Sequence, residues 1–272
     1  MKLIITMQKR GDILRIVTKI FSVILLVTLL TCTVSAADKI NWYFKKTLDH
    51  SQPKLDSYLA EAGKHKNLIW IDKENDRFDS DTKKIYITFD AGYENGNVEK
   101  ILDVLKEKSV PAAFFLLDNI ILKNSDLVLR MEDEGHLVCN HTKNHKNLSF
   151  ASEEEIARNL KALEMIYEER CGRKMSKYFR FPEGRYTLQA LKTVQSLGYK
   201  TIFWSFAYDD WDNGRQPDCD KAIKKVLDNT HDGAVMLFHP TSSTNAEIFP
   251  ILIDSWRDMG YTFGTLDELT DK

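Results

Sequence analysis

In the segment Lys83–Asn95, KKIYITFDAGYEN, a strand pattern leads to an acid and a turn. Apolar side chains at positions 85, 87 and 89 alternate with more polar ones, and this period of two predicts a β-strand. The strand ends on Asp90, and Gly92 follows at once in a turn. Enzymes built on α/β barrels place their chemistry at such carboxyl ends of strands. A lone acid there is usually a turn residue or a helix N-cap, so the later strand ends decide what Asp90 does.

Strands and helices are predicted to alternate from Lys83 onward. The predicted strands are 83–90, 112–117, 137–139, 178–181, 201–204, 234–238 and 261–265. The predicted helices are 97–108, 125–134, 152–170, 187–197, 218–230 and 246–259, and the capping box Ser152-x-x-Glu155 begins the third. Such alternation implies a parallel sheet, either open or closed. Seven strands fit an α/β fold in the form of a distorted (β/α) barrel, slightly short of the eight-stranded one.

Residues 1–36 are predicted to be a targeting segment. Basic residues up to Lys19 precede the apolar run Ile20–Cys32, and Val34-Ser35-Ala36 supplies the small residues of a cleavage site. The thirteen residues of this run are few for a membrane-spanning helix, which needs about 20. We therefore expect a signal peptide, with an uncleaved N-terminal anchor as the alternative, and a protein that works outside the cytoplasmic membrane.

The remaining chain divides into two predicted parts. Residues 37–82 are polar and irregular apart from a short strand at 68–71, and we expect them to form an N-terminal extension that packs on the barrel. Residues 83–272 form the barrel itself. Without residues 1–36 the chain has 33 basic and 39 acidic residues, a net charge of −6, which disfavours nucleic acid as a partner. Its three cysteines include no CxxC pair, which excludes a disulfide scaffold and a thiolate metal site.

Polar residues that could carry chemistry follow several of the later strands. They are His141 and His145, Arg180 with the turn at 181–185, Asp210 with Trp211, and His239. Each has an ordinary alternative, such as a solvated loop histidine, a surface arginine or a histidine satisfied in the core. Together with Asp90, however, they all fall at carboxyl ends of strands, where a barrel brings its functional groups together. The set contains a base, metal ligands, a cation and an acid, which suits hydrolysis of an amide or ester by activated water.

This ordered set resembles the polysaccharide deacetylases of carbohydrate esterase family 4, also called the NodB-homology domain. The resemblance covers about residues 83–269 and includes five motifs in order: TFDAG at 88–92, HTKNH at 141–145, RFPEG at 180–184, DDW at 209–211 and LFH at 237–239. The longer sequence segments at 88–96, 41–46, 203–211 and 239–247 are most similar to those of the delta-lactam-biosynthetic de-N-acetylases of spore cortex. Those enzymes deacetylate N-acetylmuramic acid that has lost its peptide, which then cyclises to muramic δ-lactam.

The resemblance implies a role for each motif residue. Asp90 is the general base, Arg180 orients it and is itself held by Asp210, and His239 is the general acid. His141 and His145 are metal ligands. The substrate-binding residues implied are those of the loop from Pro182 to Gly184, whose backbone amides would stabilise the oxyanion, with Arg185 and Tyr186 beside them, and Trp211 and Leu237 as walls of the acetyl pocket. Preorganised amides of this kind stabilise an oxyanion well.

Two positions depart from the family pattern. Ala91 stands where the family usually has a second Asp that ligates the metal, so a divalent metal (Zn, Mn or Co) is expected to bind weakly. Glu183 stands where the spore enzymes tend to be basic, and it would repel the lactyl carboxylate of muramic acid unless Arg185 substitutes.

The resemblance therefore implies a peptidoglycan N-deacetylase that acts on N-acetylmuramic acid on the way to δ-lactam in spore cortex. It would work in the cell wall or the forespore intermembrane space. Its partners would be glycan strands, with a prior muramoyl-alanine amidase to prepare the substrate and no other protein. Two alternatives stay open: a broader N-acetylhexosamine deacetylase acting on peptidoglycan GlcNAc or chitin-like chains, and a catalytically weak glycan-binding homologue.

Overall fold

The strand at Lys83–Ala91 is the centre of a parallel sheet in the computed structural model of the chain, which describes residues 39–47, 49–59, 62–75 and 83–271. The predicted targeting segment lies outside these residues. The strands are β1 (Ile40–Asn41), β2 (Leu68–Ile69), β3 (Lys83–Ala91), β4 (Ala112–Leu116), β5 (Leu137–Asn140), β6 (Tyr178–Phe179), β7 (Arg185–Tyr186), β8 (Lys200–Ile202), β9 (Val235–Phe238) and β10 (Tyr261–Phe263). The helices are α1 (Val98–Glu107), α2 (Asp118–Lys123), α3 (Ser125–Asp133), α4 (Glu153–Cys171), α5 (Leu188–Ser196), α6 (Cys219–Asp228), α7 (Ser243–Asp258) and α8 (Leu266–Thr270).

The parallel strands curl into a distorted barrel. β3 pairs with both β4 and β9, and the sheet continues from β4 through β5, β6 and β8. The ring is completed after β8, where Phe206 forms a parallel bridge with Met236 of β9. The Ser205 N–H donates to the Val235 carbonyl at 2.9 Å, and the Leu237 N–H donates to the Phe206 carbonyl at 2.9 Å. β10 adds beside the start of β3, and β2 pairs with β8. The predicted α/β barrel is therefore confirmed.

The two faces of β3 meet different surroundings, and this places Asp90. Ile85, Ile87 and Phe89 pack in a core that includes residues of α1 and α7. Tyr86 belongs instead to the cluster inside the ring, which contains residues from β4, β5, β6, β8 and β9. Since successive side chains of a strand point to opposite faces, Asp90 lies on the face of Tyr86. Its carboxylate therefore points into the mouth of the barrel.

Several elements differ from the sequence prediction. The predicted strand at 178–181 ends at Phe179, because the chain leaves the sheet for a turn at Pro182–Gly184. Two short helices, Asp118–Lys123 and Leu266–Thr270, were not predicted. α7 begins at Ser243 rather than 246, since the Ser242 side chain caps it by accepting from the Asn245 N–H at 3.1 Å. The capping box at Ser152 does form, with the Glu155 N–H donating to the serine hydroxyl at 3.2 Å.

The described part of the N-terminal extension contacts the turn Pro182–Gly184 of the third motif, called the third-motif turn below. β1 pairs antiparallel with β7, and the Trp42 N–H donates to the Gly184 carbonyl at 2.8 Å. The Trp42 ring stacks on Phe203 with centroids 4.5 Å apart, and its indole N–H donates to the Trp204 carbonyl. These contacts fix one side of the barrel mouth. Within the described residues, no helix has the length and apolar character needed to cross a membrane.

Candidate active site

Asp90 is held by a fully buried arginine. Arg180 follows β6, and its Nη1 donates to Asp90 Oδ1 at 2.7 Å. Its other nitrogens donate to the Thr88 hydroxyl at 2.9 Å and to the Ile202 carbonyl at 3.0 Å, and its guanidinium lies 4.1 Å from the Phe115 ring centroid. The Thr88 hydroxyl in turn donates to the Met236 carbonyl. An arginine anchored at this many points gives Asp90 a fixed orientation and a permanent positive neighbour.

Asp210 binds His239 and not Arg180, which corrects the predicted pairing. Asp210 Oδ1 accepts from His239 Nδ1 at 2.8 Å, and its Oδ2 accepts from the His239 backbone N–H at 2.8 Å. Arg180 finds its carboxylate on β3 instead. The spacing of the sequence motifs could not distinguish these two pairings, since both carboxylates lie on the same rim. The site therefore contains two separate carboxylate–cation pairs.

The charges around the two pairs lower the pKa of Asp90 and raise the pKa of His239. Burial opposes ionisation of Asp90, but His141, Arg180 and His239 outweigh it and hold the pKa of this carboxyl below its ordinary value. Burial also opposes protonation of His239, yet the hydrogen bond and charge of Asp210, with the charge of Asp90, raise its pKa above the ordinary value. Near neutral pH the site therefore offers an ionised carboxylate and an imidazole with an increased tendency to carry a proton.

The two histidines of the second motif lie together in a loop. The chain after β5 is irregular, and Thr142 and His145 adopt positive φ angles of 69° and 58°. Such angles are uncommon outside glycine, above all for a β-branched residue. The two imidazole centroids are 5.1 Å apart. His141 Nδ1 lies 2.9 Å from the Arg180 carbonyl, to which it donates, so its Nε2 carries the lone pair.

These imidazoles meet only part of the requirements of a metal site. Burial lowers the pKa of His141 to about 4, so the imidazole is neutral near pH 7. Its Nε2, 3.3 Å from Asp90 Oδ2, therefore has a lone pair that can bind a metal. A backbone carbonyl on the other ring nitrogen is the usual support of a metal-binding histidine. Ala91 is buried and has no donor atom. Among the described residues, no three His, Cys, Asp or Glu side chains are grouped to hold a metal. The described residues thus bring together two imidazoles that could hold a metal and no third ligand.

A cavity of about 940 Å³ opens over both pairs. Asp90, His141, His145, Trp211, Leu237 and His239, all predicted from the sequence, line it. Carboxylates of Asp118, Glu183 and Asp209 also line it, and no lysine or arginine of the described residues does. Trp211 is 63% exposed and Tyr93 is 44% exposed, so two aromatic rings stand at its rim. Exposed rings of this kind offer apolar surface to a ring-shaped ligand.

The third-motif turn meets the cavity through Glu183 rather than through its predicted neighbours. Pro182 has no N–H, and the Gly184 N–H donates to the Phe181 carbonyl, so of these three residues only Glu183 could offer its amide to the cavity. Glu183 has a φ of 58°. Arg185 is half-exposed and forms an ion pair with Glu183. Tyr186 is fully buried against Phe181 and Phe203, so the expectation that it contacts substrate is wrong.

Some residues of the site were not identified from the sequence. Thr88 anchors Arg180, and Trp204 lines the cavity, and neither side chain carries a titratable group that marks it in the sequence. Asn245 touches the Asp210–His239 pair from α7, and in the sequence it stands just before the predicted helix at 246–259 with no titratable group. Such residues act through hydrogen bonds whose partners are distant along the chain.

The comparisons with known proteins agree with this geometry. A sequence model described as "Polysaccharide deacetylase" matches residues 78–202. The chain is 35% identical over 234 residues to the peptidoglycan-N-acetylmuramic acid deacetylase PdaA of Bacillus subtilis, which covers 85% of this chain and 86% of that one. It is 31% identical over 191 residues to the peptidoglycan-N-acetylglucosamine deacetylase PgdA of Listeria monocytogenes, over 69% of this chain and 39% of the relative.

The fold gives the same result. The solved structure of B. subtilis PdaA, a family 4 carbohydrate esterase, superposes with a TM-score of 0.80 and 33% identity over 86% of this chain and 98% of that one. Members of the family are generally metal-dependent hydrolases, and the relatives named here act on peptidoglycan. With its motifs, barrel and site all in accord, the chain belongs to the polysaccharide deacetylases of carbohydrate esterase family 4.

Proposed function

We propose that this enzyme removes the acetyl group from N-acetylmuramic acid in peptidoglycan, by direct attack of water on the amide. The observation that carries the proposal is the pair of opposed dyads, Asp90–Arg180 and Asp210–His239, on one cavity. Hydrolysis of an amide needs a base for water and an acid for the amine. The first dyad supplies the base and the second supplies the acid.

In this mechanism Asp90 accepts a proton from water while the water oxygen bonds to the acetyl carbonyl carbon. Arg180 keeps Asp90 aimed at the cavity through the attack. The tetrahedral intermediate then collapses, the C–N bond breaks, and His239 donates the Nε2 proton to the leaving nitrogen. Asp210 accepts from the opposite ring nitrogen and stabilises the imidazolium. The products are acetate and the free amine of the sugar.

The amide N–H of Glu183 is the proposed oxyanion donor from the third-motif turn. A metal held by His141 and His145 would supply Lewis-acid polarisation of the carbonyl oxygen. With Ala91 in place of a carboxylate, we propose that Zn, Mn or Co binds weakly. The acid–base steps above belong to the chain's own residues and proceed with the same proton transfers in either case.

Two observations bear on the identity of the sugar, and they favour different candidates. The similarity to PdaA over most of both chains favours N-acetylmuramic acid, whose free amine can then close to the δ-lactam of spore cortex. Two features favour a neutral sugar instead. The cavity lining is acidic and contains no lysine or arginine of the described residues, and Arg185 is already paired with Glu183. The second candidate is therefore N-acetylglucosamine, as in the relative PgdA.

The site of action follows from the substrate. We propose that residues 1–36 deliver the enzyme across the cytoplasmic membrane, in secreted or anchored form, to the cell wall or forespore intermembrane space. Glycan strands are its partners there. An amidase that removes the peptide from muramic acid would act before it.

Mass spectrometry of peptide-stripped glycan fragments incubated with the purified enzyme tests the proposal. We expect loss of acetyl from muramic acid and, after cyclisation, loss of water to the lactam, with background release from the Asp90→Asn variant. Deacetylation confined to glucosamine would establish the second candidate. Equal background release by wild type and Asp90→Asn would instead leave a glycan-binding protein.

A further inference from the structure

Asn245 lies at the back of the Asp210–His239 dyad and is completely buried. Its Nδ2 donates to Asp210 Oδ2 at 2.7 Å and to the His239 carbonyl at 3.1 Å. It therefore touches both members of the dyad from a third element, the first turn of α7. No other part of the site joins the two residues in this way among the described contacts.

The orientation of the Asn245 amide is fixed by its partners. A carboxylate and a backbone carbonyl are acceptors only, so the side that faces them must be the NH₂ group. The amide oxygen then faces the Tyr208 hydroxyl, which donates to it. Every polar atom of the side chain is used, and the amide has one arrangement that satisfies all of its neighbours.

The hydrogen bonds to Asp210 leave this carboxylate little freedom. Oδ2 accepts from Asn245 Nδ2 and from the His239 N–H, while Oδ1 faces His239 Nδ1. The charges that act on His239 come from Asp210, from Asp90 on β3 and from Arg180 after β6. Of these, only Asp210 is in hydrogen-bond contact with the His239 ring, so the ring depends on where Asp210 is held.

We propose that Asn245 is a positioning residue of the reaction, which holds Asp210 in line with His239 Nδ1 and thereby keeps the general acid protonated. The inference rests on the proposed role of His239. Asn245 does not line the cavity and acts only through the dyad. The side chain is neutral, so it fixes Asp210 without adding a charge that would compete with His239.

The test is a pH titration of the His239 imidazole by NMR, with its signal assigned from its loss in His239→Gln. Asp210→Asn, which removes the charge and keeps the shape, sets the size of the full effect. In Asn245→Leu, which is close in size but has no polar atoms, we expect the His239 titration to move down by about one pKa unit, a tenfold change in the protonation equilibrium. The basic limb of kcat/KM for acetate release should move with it.

A matched control comes from the same helix turn. Thr244 is buried beside Asn245, and its hydroxyl donates to the Pro217 carbonyl at 2.7 Å without touching the dyad. Thr244→Val should lower stability and leave the His239 titration unchanged. Tyr208→Phe, which removes the donor to the Asn245 oxygen, should shift the titration in the same direction as Asn245→Leu but less.

An unchanged His239 titration in Asn245→Leu, with a clear shift in Asp210→Asn, would overturn the inference. If Asn245→Leu fails to fold, Asn245→Ala removes atoms only and is judged by the same criterion. The titration requires no catalysis, so it is independent of the proposed function. Absence of acetate release from the wild type at every pH would reject the proposed function while leaving the titration result to stand by itself.

Discussion

The two dyads of the site use the same chemistry, a carboxylate beside a cation, in opposite surroundings. Arg180 is fully buried and bonded at several points, whereas the His239 side chain is 26% exposed and bonded mainly to Asp210. An arginine keeps its charge at every pH of interest, and a histidine does not. The difference shows how one fold makes a permanent base and a proton donor: it buries the permanent cation behind the base and leaves the titratable cation at the cavity.

Stability should show the largest contrast between the dyads. Arg180→Met leaves Asp90, whose side chain is only 11% exposed, without its fully buried partner, and we expect a loss of about 3 kcal/mol in the free energy of unfolding. In His239→Gln the buried Asp210 keeps its hydrogen bonds from the backbone N–H of residue 239 and from Asn245, so we expect a smaller loss. Urea denaturation of both variants against wild type measures the contrast. Equal losses would mean that burial does not distinguish the two pairs.

Catalysis should respond to either dyad, through different steps. His239→Gln keeps the size of the side chain but cannot protonate the leaving amine, so we expect kcat to fall about 10²- to 10³-fold with little change in KM. Steady-state acetate release measures both parameters. Glutamine at 239 with wild-type kcat would show that the amine takes its proton from another group.

The metal position offers a gain-of-function test on the Asp90 side. Ala91 lines the same cavity as the two imidazoles, and for Ala91→Asp we expect tighter binding of Zn²⁺ because a third donor and a negative charge are added. Isothermal titration against wild type detects the change, and Ala91→Asn, which adds a neutral donor, should lie between them. If Ala91→Asp does not bind Zn²⁺ more tightly, the side chain of residue 91 does not reach a metal held by His141 and His145.

Glu183 should give the smallest effect. Glu183→Gln removes one carboxylate from the cavity rim and frees Arg185, a half-exposed ion pair of the kind worth about 0.2–1 kcal/mol. We expect kcat/KM for sugars with a free lactyl carboxylate to rise a few-fold relative to neutral ones. The ratio for peptide-stripped muramic and glucosamine substrates measures it. A ratio that does not move would show that the lactyl group binds away from this turn.

The sequence was sufficient for the elements whose signals are local. Alternation in β3, the capping box at Ser152 and the motif residues at strand ends led to the barrel and to the rim that carries Asp90, His141 and His239. These signals are local because strand period, cap and turn each depend on neighbours in the chain.

The sequence could not give the pairing across the barrel. Whether Arg180 meets Asp90 or Asp210 depends on register and side-chain direction, which no spacing encodes. The same holds for Tyr186, a strand-end tyrosine that became core, and for Asn245, whose partners lie 35 and six residues away. The boundaries of the extension at 37–82 stay a prediction.

The pH dependence of kcat/KM for acetate release reports on both dyads at once, because Asp90 must be ionised and His239 must be protonated. The lowered pKa of Asp90 places loss of the base on the acidic side, below the ordinary range of a carboxyl, and the raised pKa of His239 places loss of the acid above the ordinary 6.5. We predict a basic limb above pH 6.5 in the wild type that moves to lower pH in Asp210→Asn, while the acidic side is unchanged. A basic limb at the same pH in both proteins would contradict the assignment of His239, held by Asp210, as the general acid.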